Sequence, residues 1–192
     1  DQKMKITIGN HENSDSEDLN TYLDHFGMSS QYYSFDYQNV HFLSLATEIS
    51  YSSGSSQNLF VKNDLASAAA NPNIDWIVVY LHKPMYSSPN SCSSCGGEIA
   101  LRDLYHPIFD QYGVDIVLQG HNHIYDRTLP LKFNPNNIGK PIVDESNNTN
   151  KFFNPDGSIY SVIGLGGRSS NLILNHPDYV VKQYNGFGFL SI

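Results

Sequence analysis

The chain has 192 residues, of which 40% are hydrophobic and 12% aromatic, so it can bury a sizeable core and is not a disordered polypeptide. Its 11 Lys and Arg residues against 19 Asp and Glu give a net charge of −8 without any basic cluster, which disfavours nucleic-acid binding. No apolar stretch approaches the roughly 20 residues that span a bilayer, and the first residues lack the features of a signal peptide.

Strand-like and helix-like segments alternate along the chain, a pattern that favours an α/β fold. The first half is predicted to hold a short buried strand at 4–8, a helix at 17–26, a hairpin at 33–45, a helix at 58–70 and a buried strand at 74–81. We expect one domain over residues 1–192.

The second half continues the same alternation, with one interruption. We predict a helix at 99–112, a buried strand at 114–118, a strand at 158–165 and a closing strand at 186–192. Residues 130–157 carry four prolines among many asparagines, which predicts a long surface excursion with little regular structure.

Three β-rich runs end abruptly in residue types that bind metals. They lead into Gly9-Asn10-His11-Glu12, into His82, and into Gly120-His121-Asn122-His123. Ligands of open α/β sheets gather at the carboxyl ends of strands, so three such endings predict one shared site. His121 and His123 are two residues apart, and in an extended segment both imidazoles would project to the same side. Nitrogen and oxygen donors of this kind suit Zn, Fe or Mn, and they favour metal-assisted hydrolysis.

Purely structural explanations exist for the same residue types. A single histidine is more often a hydrogen-bonded core residue than a ligand, and we favour that interpretation for His25, His41, His106 and His176. Asn10 and His11, taken alone, could form a turn with a surface histidine. Glycines 164–167 could bind an anion through their amides or simply form a tight turn. For the paired histidines we favour metal binding, because Gly-His-x-His after a parallel-type strand offers neutral imidazoles. The turn interpretation of Asn10 and His11 loses weight once the other two strand ends are counted, because three coincidences on one edge are harder to explain separately.

The two cysteines, Cys92 and Cys95, form a C-x-x-C in a segment rich in Ser, Pro and Gly. They are too few for a structural zinc site, so a local disulfide is the favoured interpretation, with a redox or metal-binding role as the alternative. The sequon Asn147-Asn148-Thr149 and the low lysine content fit an exported protein at the cell surface or outside the cell.

The order of these motifs resembles the calcineurin-like metallophosphoesterases, and among them the purple acid phosphatases. The resemblance implies the αββα sandwich of that family, with Asn10, His82 and His121 on one metal ion and His123 on a second. His11 would contact the phosphate, and Glu12 would orient His11. Two divalent or trivalent ions of Fe, Zn or Mn would clamp the phosphoryl oxygens while a metal-bound hydroxide attacks in line. The implied activity is hydrolysis of phosphate esters, with monoesters the leading substrates.

The family's two earlier motifs, D-x-G or D-x-H and then G-D-x-x-Y or G-D-x-x-D, do not occur in this sequence. They supply the carboxylate that bridges the two metals, and cations about 3.5–4 Å apart repel without such a bridge. We therefore expect a sandwich incomplete at the N-terminus, completed by a preceding segment of the same protein. Substrate choice is not implied, because residues 91–95 replace the family's substrate-facing histidines. The second hypothesis is a non-catalytic module of this fold in an extracellular assembly.

Overall fold

The computed structural model describes residues 4–14, 19–88, 97–144 and 151–191. The chain forms two compact units, Asp1–His82 and Lys83–Ile192. The cysteine pair and the sequon lie outside the described residues. Among the helices of the described ranges, none is long and apolar enough to cross a membrane.

The first unit combines a three-stranded sheet with three helices. Its sheet has the order β1-β2-β3, with β1 and β2 antiparallel and β2 and β3 parallel. In chain order the elements are α1 (Asn10–Ser14), α2 (Leu19–Phe26), β1 (Tyr33–Tyr37), β2 (Val40–Leu45), α3 (Ser56–Ala69) and β3 (Trp76–Leu81). The predicted hairpin, the helix at 58–70 and the strand at 74–81 are confirmed.

Register places the ends of β2 and β3 at one edge of this sheet. The hairpin turns at Gln38, whose φ of 54° lies in the left-handed region, and Tyr37 then pairs with Val40. Leu45 pairs with Leu81, so the two parallel strands finish side by side. Both leucines are buried, and the residue after Leu81 is His82. The fold thus presents this histidine where the strand-end rule expects a ligand.

The strand predicted at residues 4–8 is wrong. The backbone at 4–9 joins no strand, although Ile8 is fully buried. Side chains hold the segment instead: the Tyr33 hydroxyl donates to the Ile6 carbonyl at 2.7 Å, and the Thr7 hydroxyl donates to the Leu45 carbonyl at 3.3 Å. Each of these bonds joins a hydroxyl to a backbone carbonyl, so the segment is held without forming a backbone ladder, and its end at Ile8 and Gly9 is buried.

A four-stranded sheet forms the centre of the second unit. Its order is β4-β8-β5-β9, with β4 and β8 parallel and β5 antiparallel to both of its neighbours. The elements are α4 (Ile99–Tyr112), β4 (Ile116–Gln119), β5 (Tyr125–Thr128), β6 (Leu131–Lys132), β7 (Ile142–Val143), β8 (Ile159–Ile163) and β9 (Val180–Tyr184). The predictions of a helix at 99–112 and of strands at 114–118 and 158–165 are confirmed. Within 130–157, the described part pairs β6 with β7 and is otherwise without strands or helices.

The closing strand predicted at 186–192 is wrong, because the last strand is β9. It pairs with β5, placing Tyr184 opposite Tyr125. The apolar residues that suggested a later strand do not pack: Phe187 is 66% exposed and Phe189 is 90% exposed. β9 was missed because Lys182 and Gln183 interrupt its apolar pattern, whereas pairing with β5 is decided by tertiary structure.

Candidate metal centre

In the first unit, two of the predicted ligands meet although 72 residues separate them. His82 directly follows β3, and Asn10 begins α1; the His82 Nε2 atom lies 2.7 Å from the Asn10 Oδ1 atom. An amide oxygen only accepts, so here Nε2–H donates. Two ligands of one ion, each bonded at about 2.1 Å, lie about 3.0–3.4 Å apart. The hydrogen-bonded pair therefore comes near that spacing, and a cation would take the place of the shared proton after the two atoms move apart by a few tenths of an ångström.

Gly9 is required by the close approach of the His82 ring. A Cβ at position 9 would lie 2.9 Å from His82 Cε1 and Nδ1, closer than side chains pack. The Gly9 amide donates to the Glu12 carboxylate at 2.8 Å, which fixes the entry into α1. That observed role concerns the backbone, and the orientation of His11 by Glu12 stays a prediction. His11 itself is exposed on α1.

In the second unit, residues 120–124 are not extended, so the expectation of two same-side imidazoles from an extended segment is wrong. The Asn122 amide donates to the Gly120 carbonyl at 2.8 Å, and the Ile124 amide donates to the Asn122 carbonyl at 2.8 Å. These are two successive three-residue turns. Their cause is topological: β4 is parallel to β8, and β5 is antiparallel to β8, so the chain must reverse within five residues.

His121 occupies a strained backbone position in this reversal. Its φ of 64° lies in the left-handed region, which costs a non-glycine residue about 1–3 kcal/mol. Such strain concentrates at functional sites, because the surrounding structure must impose it. The turn, and not an unstrained extended strand end, therefore fixes the backbone of the predicted ligand His121.

His123 is fixed by a loop that sequence reasoning missed. Its Nδ1 atom lies 3.1 Å from the Ser169 carbonyl oxygen, which can only accept, so Nδ1 carries the proton. The other nitrogen, Nε2, then keeps a lone pair for a metal, the arrangement usual for metal-binding histidines. Asn171 adds two bonds. Its side-chain Oδ1 accepts from the His123 backbone amide at 2.8 Å, and its own backbone amide donates to the His123 carbonyl at 3.0 Å. No sequence signal distinguishes Asn171 from the many other asparagines.

Gly164 lets the same loop approach the turn. A methyl group there would overlap the Asn122 carbonyl oxygen, and the Gly164 amide donates to the Ile124 carbonyl at 3.0 Å. This amide is used within the protein, which favours the turn interpretation at this glycine. Asn122 is fully buried, and its amide group donates to the Ser87 hydroxyl at 2.5 Å.

A buried carboxylate fixes the backbone at Ser88. Asp126 is 1% exposed, and its Oδ2 accepts from the Ser88 amide at 2.7 Å. Burial raises the pKa of the Asp126 carboxyl, and the hydrogen bonds from Ser88 oppose that rise. Gln183 donates to the Ser88 hydroxyl at 2.6 Å, so β5 and β9 both hold this position. Sequence reasoning did not identify this network.

The donors fit a transition metal, although they do not form a finished shell. Within the described ranges, no group of three or more His, Cys, Asp or Glu side chains could by itself hold a metal ion. The amide oxygen and imidazole of the first unit are in direct hydrogen-bond contact, and the Ser169 carbonyl favours the His123 tautomer that a ligand needs. These residue types favour Zn, Fe or Mn over calcium.

The four other histidines divide into two groups. His41 and His106 are buried and hydrogen-bonded, which confirms their structural interpretation. His25 and His176 are exposed, so their assignment to the core is wrong.

The comparison with known proteins defines the class. Residues 2–125 match the family model for calcineurin-like phosphoesterase, and the chain belongs to that family. The mixed α/β fold predicted from the sequence is the fold of this family, and the prediction is confirmed.

Purple acid phosphatases are prominent among the relatives. The chain is 29% identical over 189 residues to purple acid phosphatase 15 of Arabidopsis thaliana, which covers 91% of this chain and 31% of that protein. A purple acid phosphatase from yellow lupin seeds superposes with a TM-score of 0.65 at 25% identity, over 82% of this chain and 27% of the other. GAP50 of Plasmodium, described as an anchor in the inner membrane complex, shares the fold with a TM-score of 0.58 at 18% identity, over 84% and 46%. The chain thus spans under a third of the Arabidopsis relative.

Proposed function

We propose that this chain carries part of the active site of a metal-dependent phosphoester hydrolase that prefers phosphate monoesters. Asn10, His82, His121 and His123 are the proposed ligands of Fe, Zn or Mn ions, and His11 is the proposed phosphate contact. Membership of the calcineurin-like phosphoesterases supports a phosphoester substrate and divalent metals in general. The finer assignments rest on the motif resemblance and on the local geometry.

The observation that carries the proposal is the 2.7 Å approach of Asn10 Oδ1 to His82 Nε2. A structural histidine would need only one acceptor, and a strand-end backbone carbonyl would serve. Here the amide comes from a helix start far away in sequence, and Gly9 leaves out a side chain to admit the ring. The absence of a side chain at Gly9 therefore allows the two proposed ligand atoms to come together.

The proposed roles of the residues follow from their donor atoms. Asn10 and His82 hold one cation through an oxygen and a neutral nitrogen, so the ligands leave most of its positive charge uncompensated. His11, exposed near the start of α1, donates a proton to the oxygen of the departing alcohol. When bound, such ions neutralise phosphoryl oxygens and lower the pKa of water. No serine or cysteine nucleophile is needed.

The dinuclear form of the centre is a further part of the proposal. Two cations need a bridging carboxylate, and the family's carboxylate motifs are absent from these 192 residues. We propose that another segment of the same protein supplies the bridge, and that the protein acts outside the cell or on its surface. This location outside the cell or on its surface is supported only by the composition and by the sequon.

The test combines metal content with turnover. Protein containing this chain, purified without chelators, should hold transition metal by elemental analysis and hydrolyse p-nitrophenyl phosphate. His121→Ala and His123→Ala should each lower turnover more than about 100-fold, beyond the usual effect of losing a residue that only supports a ligand. His25→Ala, an exposed histidine on α2, should retain wild-type activity.

Two results would contradict the proposal. Full turnover in both histidine variants would show that the assigned ligands are wrong. Bound metal without turnover on any phosphate ester would instead support the non-catalytic module.

A further inference from the structure

We infer that Asn171 is a positioning residue that sets the tautomer and orientation of His123 for metal binding. The inference rests on the proposed function, because it explains how one proposed ligand is prepared. It concerns a residue 48 positions away from the histidine, on the loop that joins β8 to β9.

Reciprocal backbone contacts make the link specific. The Asn171 side-chain oxygen accepts from the His123 amide at 2.8 Å, and the Asn171 amide donates to the His123 carbonyl at 3.0 Å. One residue thus satisfies both backbone groups of the histidine. Asn185 donates to the Asn171 carbonyl at 2.9 Å, which ties the loop to the residue just after β9. The backbone of His123 is therefore fixed relative to this loop.

The loop then reaches the imidazole itself. Ser169, two residues before Asn171, offers its carbonyl oxygen to His123 Nδ1 at 3.1 Å. Because a carbonyl accepts only from a protonated nitrogen, this contact favours the Nδ1–H tautomer and leaves Nε2 unprotonated. The contact is solvent-exposed, so water competes for both groups. The ring contact persists only if the distance between the loop and the His123 backbone stays fixed. The bonds of Asn171 to that backbone fix this distance.

The same loop cannot drift away from the turn without cost. Gly164 lies against the Asn122 carbonyl, and its amide donates to the Ile124 carbonyl at 3.0 Å. Bonds therefore hold the loop on either side of Ser169, at Gly164 and at Asn171. The ring contact lies between two anchors of different kinds. Asn171→Ala should weaken the anchor at residue 171 by removing its side-chain bond, while the backbone bond to His123 and the anchor at Gly164 remain.

Three variants of the full chain separate positioning from general stability. Asn171→Ala removes the acceptor of the His123 amide, whereas Asn171→Asp keeps an oxygen at that position. Asn175→Ala is the matched control, since Asn175 is an exposed asparagine of the same loop whose Oδ1 accepts from the neighbouring His176 amide at 2.8 Å. Circular dichroism confirms that each variant is folded.

The main readout is the His123 tautomer in the metal-free chain, from long-range proton–nitrogen correlation spectra of the imidazole. Wild type, Asn171→Asp and Asn175→Ala should show Nδ1–H, and Asn171→Ala should shift toward the Nε2–H form. In calorimetric titration with Zn²⁺ alone, Asn171→Ala should bind about 10- to 100-fold more weakly, and the other variants should match wild type.

An unchanged His123 tautomer in folded Asn171→Ala would overturn the inference, whatever the metal affinity. If Asn171→Ala shifts the tautomer but the wild-type protein hydrolyses no phosphate ester, the positioning role stands and the proposed function is removed. If Asn171→Ala keeps the wild-type tautomer and the wild-type protein hydrolyses phosphate esters, the proposed function stands and the positioning role is removed.

Discussion

The two units prepare their proposed ligands in different ways. In the first unit, the donors meet directly, with Asn10 Oδ1 against His82 Nε2 at 2.7 Å. In the second unit, His121 and His123 lie in a tight chain reversal, and backbone groups of a distant loop hold the His123 ring. The first arrangement depends on side-chain charge and hydrogen bonding, and the second depends on close backbone packing. The two should therefore respond to different substitutions.

Backbone packing in the second unit predicts the largest stability effect. Gly164→Ala should lower the free energy of unfolding by about 1–3 kcal/mol, because its methyl group would overlap the Asn122 carbonyl and force the loop away. Gly166→Ala is the matched control, since a Cβ there has open space and no positive φ to oppose it. Urea denaturation measures both. Equal stability of the two variants would show that the close approach is not a constraint.

In the first unit, the corresponding support is a charged hydrogen bond. Glu12→Ala should cost about 1–2 kcal/mol, because the Gly9 amide loses its carboxylate acceptor at 2.8 Å. Glu12→Gln keeps an acceptor oxygen and should recover most of that loss. Urea denaturation of the three proteins checks the order. A glutamine variant as unstable as the alanine variant would mean that charge, and not the hydrogen bond, is what matters.

The smallest effect expected is a pH dependence carried by His41. The ring lies between two carboxylates, with Nδ1 2.6 Å from Asp36 and Nε2 2.8 Å from Asp64. Burial lowers the pKa of His41, but the hydrogen bonds and charges of Asp64 and Asp36 outweigh it, and the pKa is raised. The stabilisation is therefore complete below the unfolded pKa of about 6.5 and is lost as the pH rises through the higher folded value.

His41→Gln tests this sign, because glutamine cannot carry the charge. The stability difference between wild type and His41→Gln should shrink as the pH rises from about 6 to about 9, spanning the ordinary histidine pKa. Burial and ion pairing oppose each other, so the change should be modest. His25→Ala serves as the control, since that histidine is exposed. A difference that grows with pH would show that His41 is neutral in the folded protein.

Local patterns predicted most of the regular elements. The hairpin around Gln38 followed from alternating apolar residues, and α3 and α4 followed from helical segments close to their observed bounds. The two failures, at 4–8 and 186–192, were both apolar runs taken for strands. A strand needs a partner strand, and neither run pairs with one within the described ranges, although the Gly188 amide donates to the Leu165 carbonyl at 3.2 Å. Pattern alone cannot supply that partner.

The candidate site was predictable in its residues but not in its supports. Asn10, His82, His121 and His123 stood out through strand endings and family resemblance. The supports, Asn171, Ser169 and Gly164, lie about 40 residues or more from the turn that they hold. Their contacts are mostly to the backbone, which carries no sequence signature. The tight reversal at His121 likewise depends on strand order, which one sequence does not reveal.

The most direct test of the metal-site account is a Zn²⁺ titration of the full chain followed through the nitrogen shifts of its histidine rings. The account predicts that ring nitrogens of His82, His121 and His123 shift together with added metal, while those of His25 and His176 stay in place. A response confined to the exposed histidines, or no response in the three proposed ligands, would contradict it.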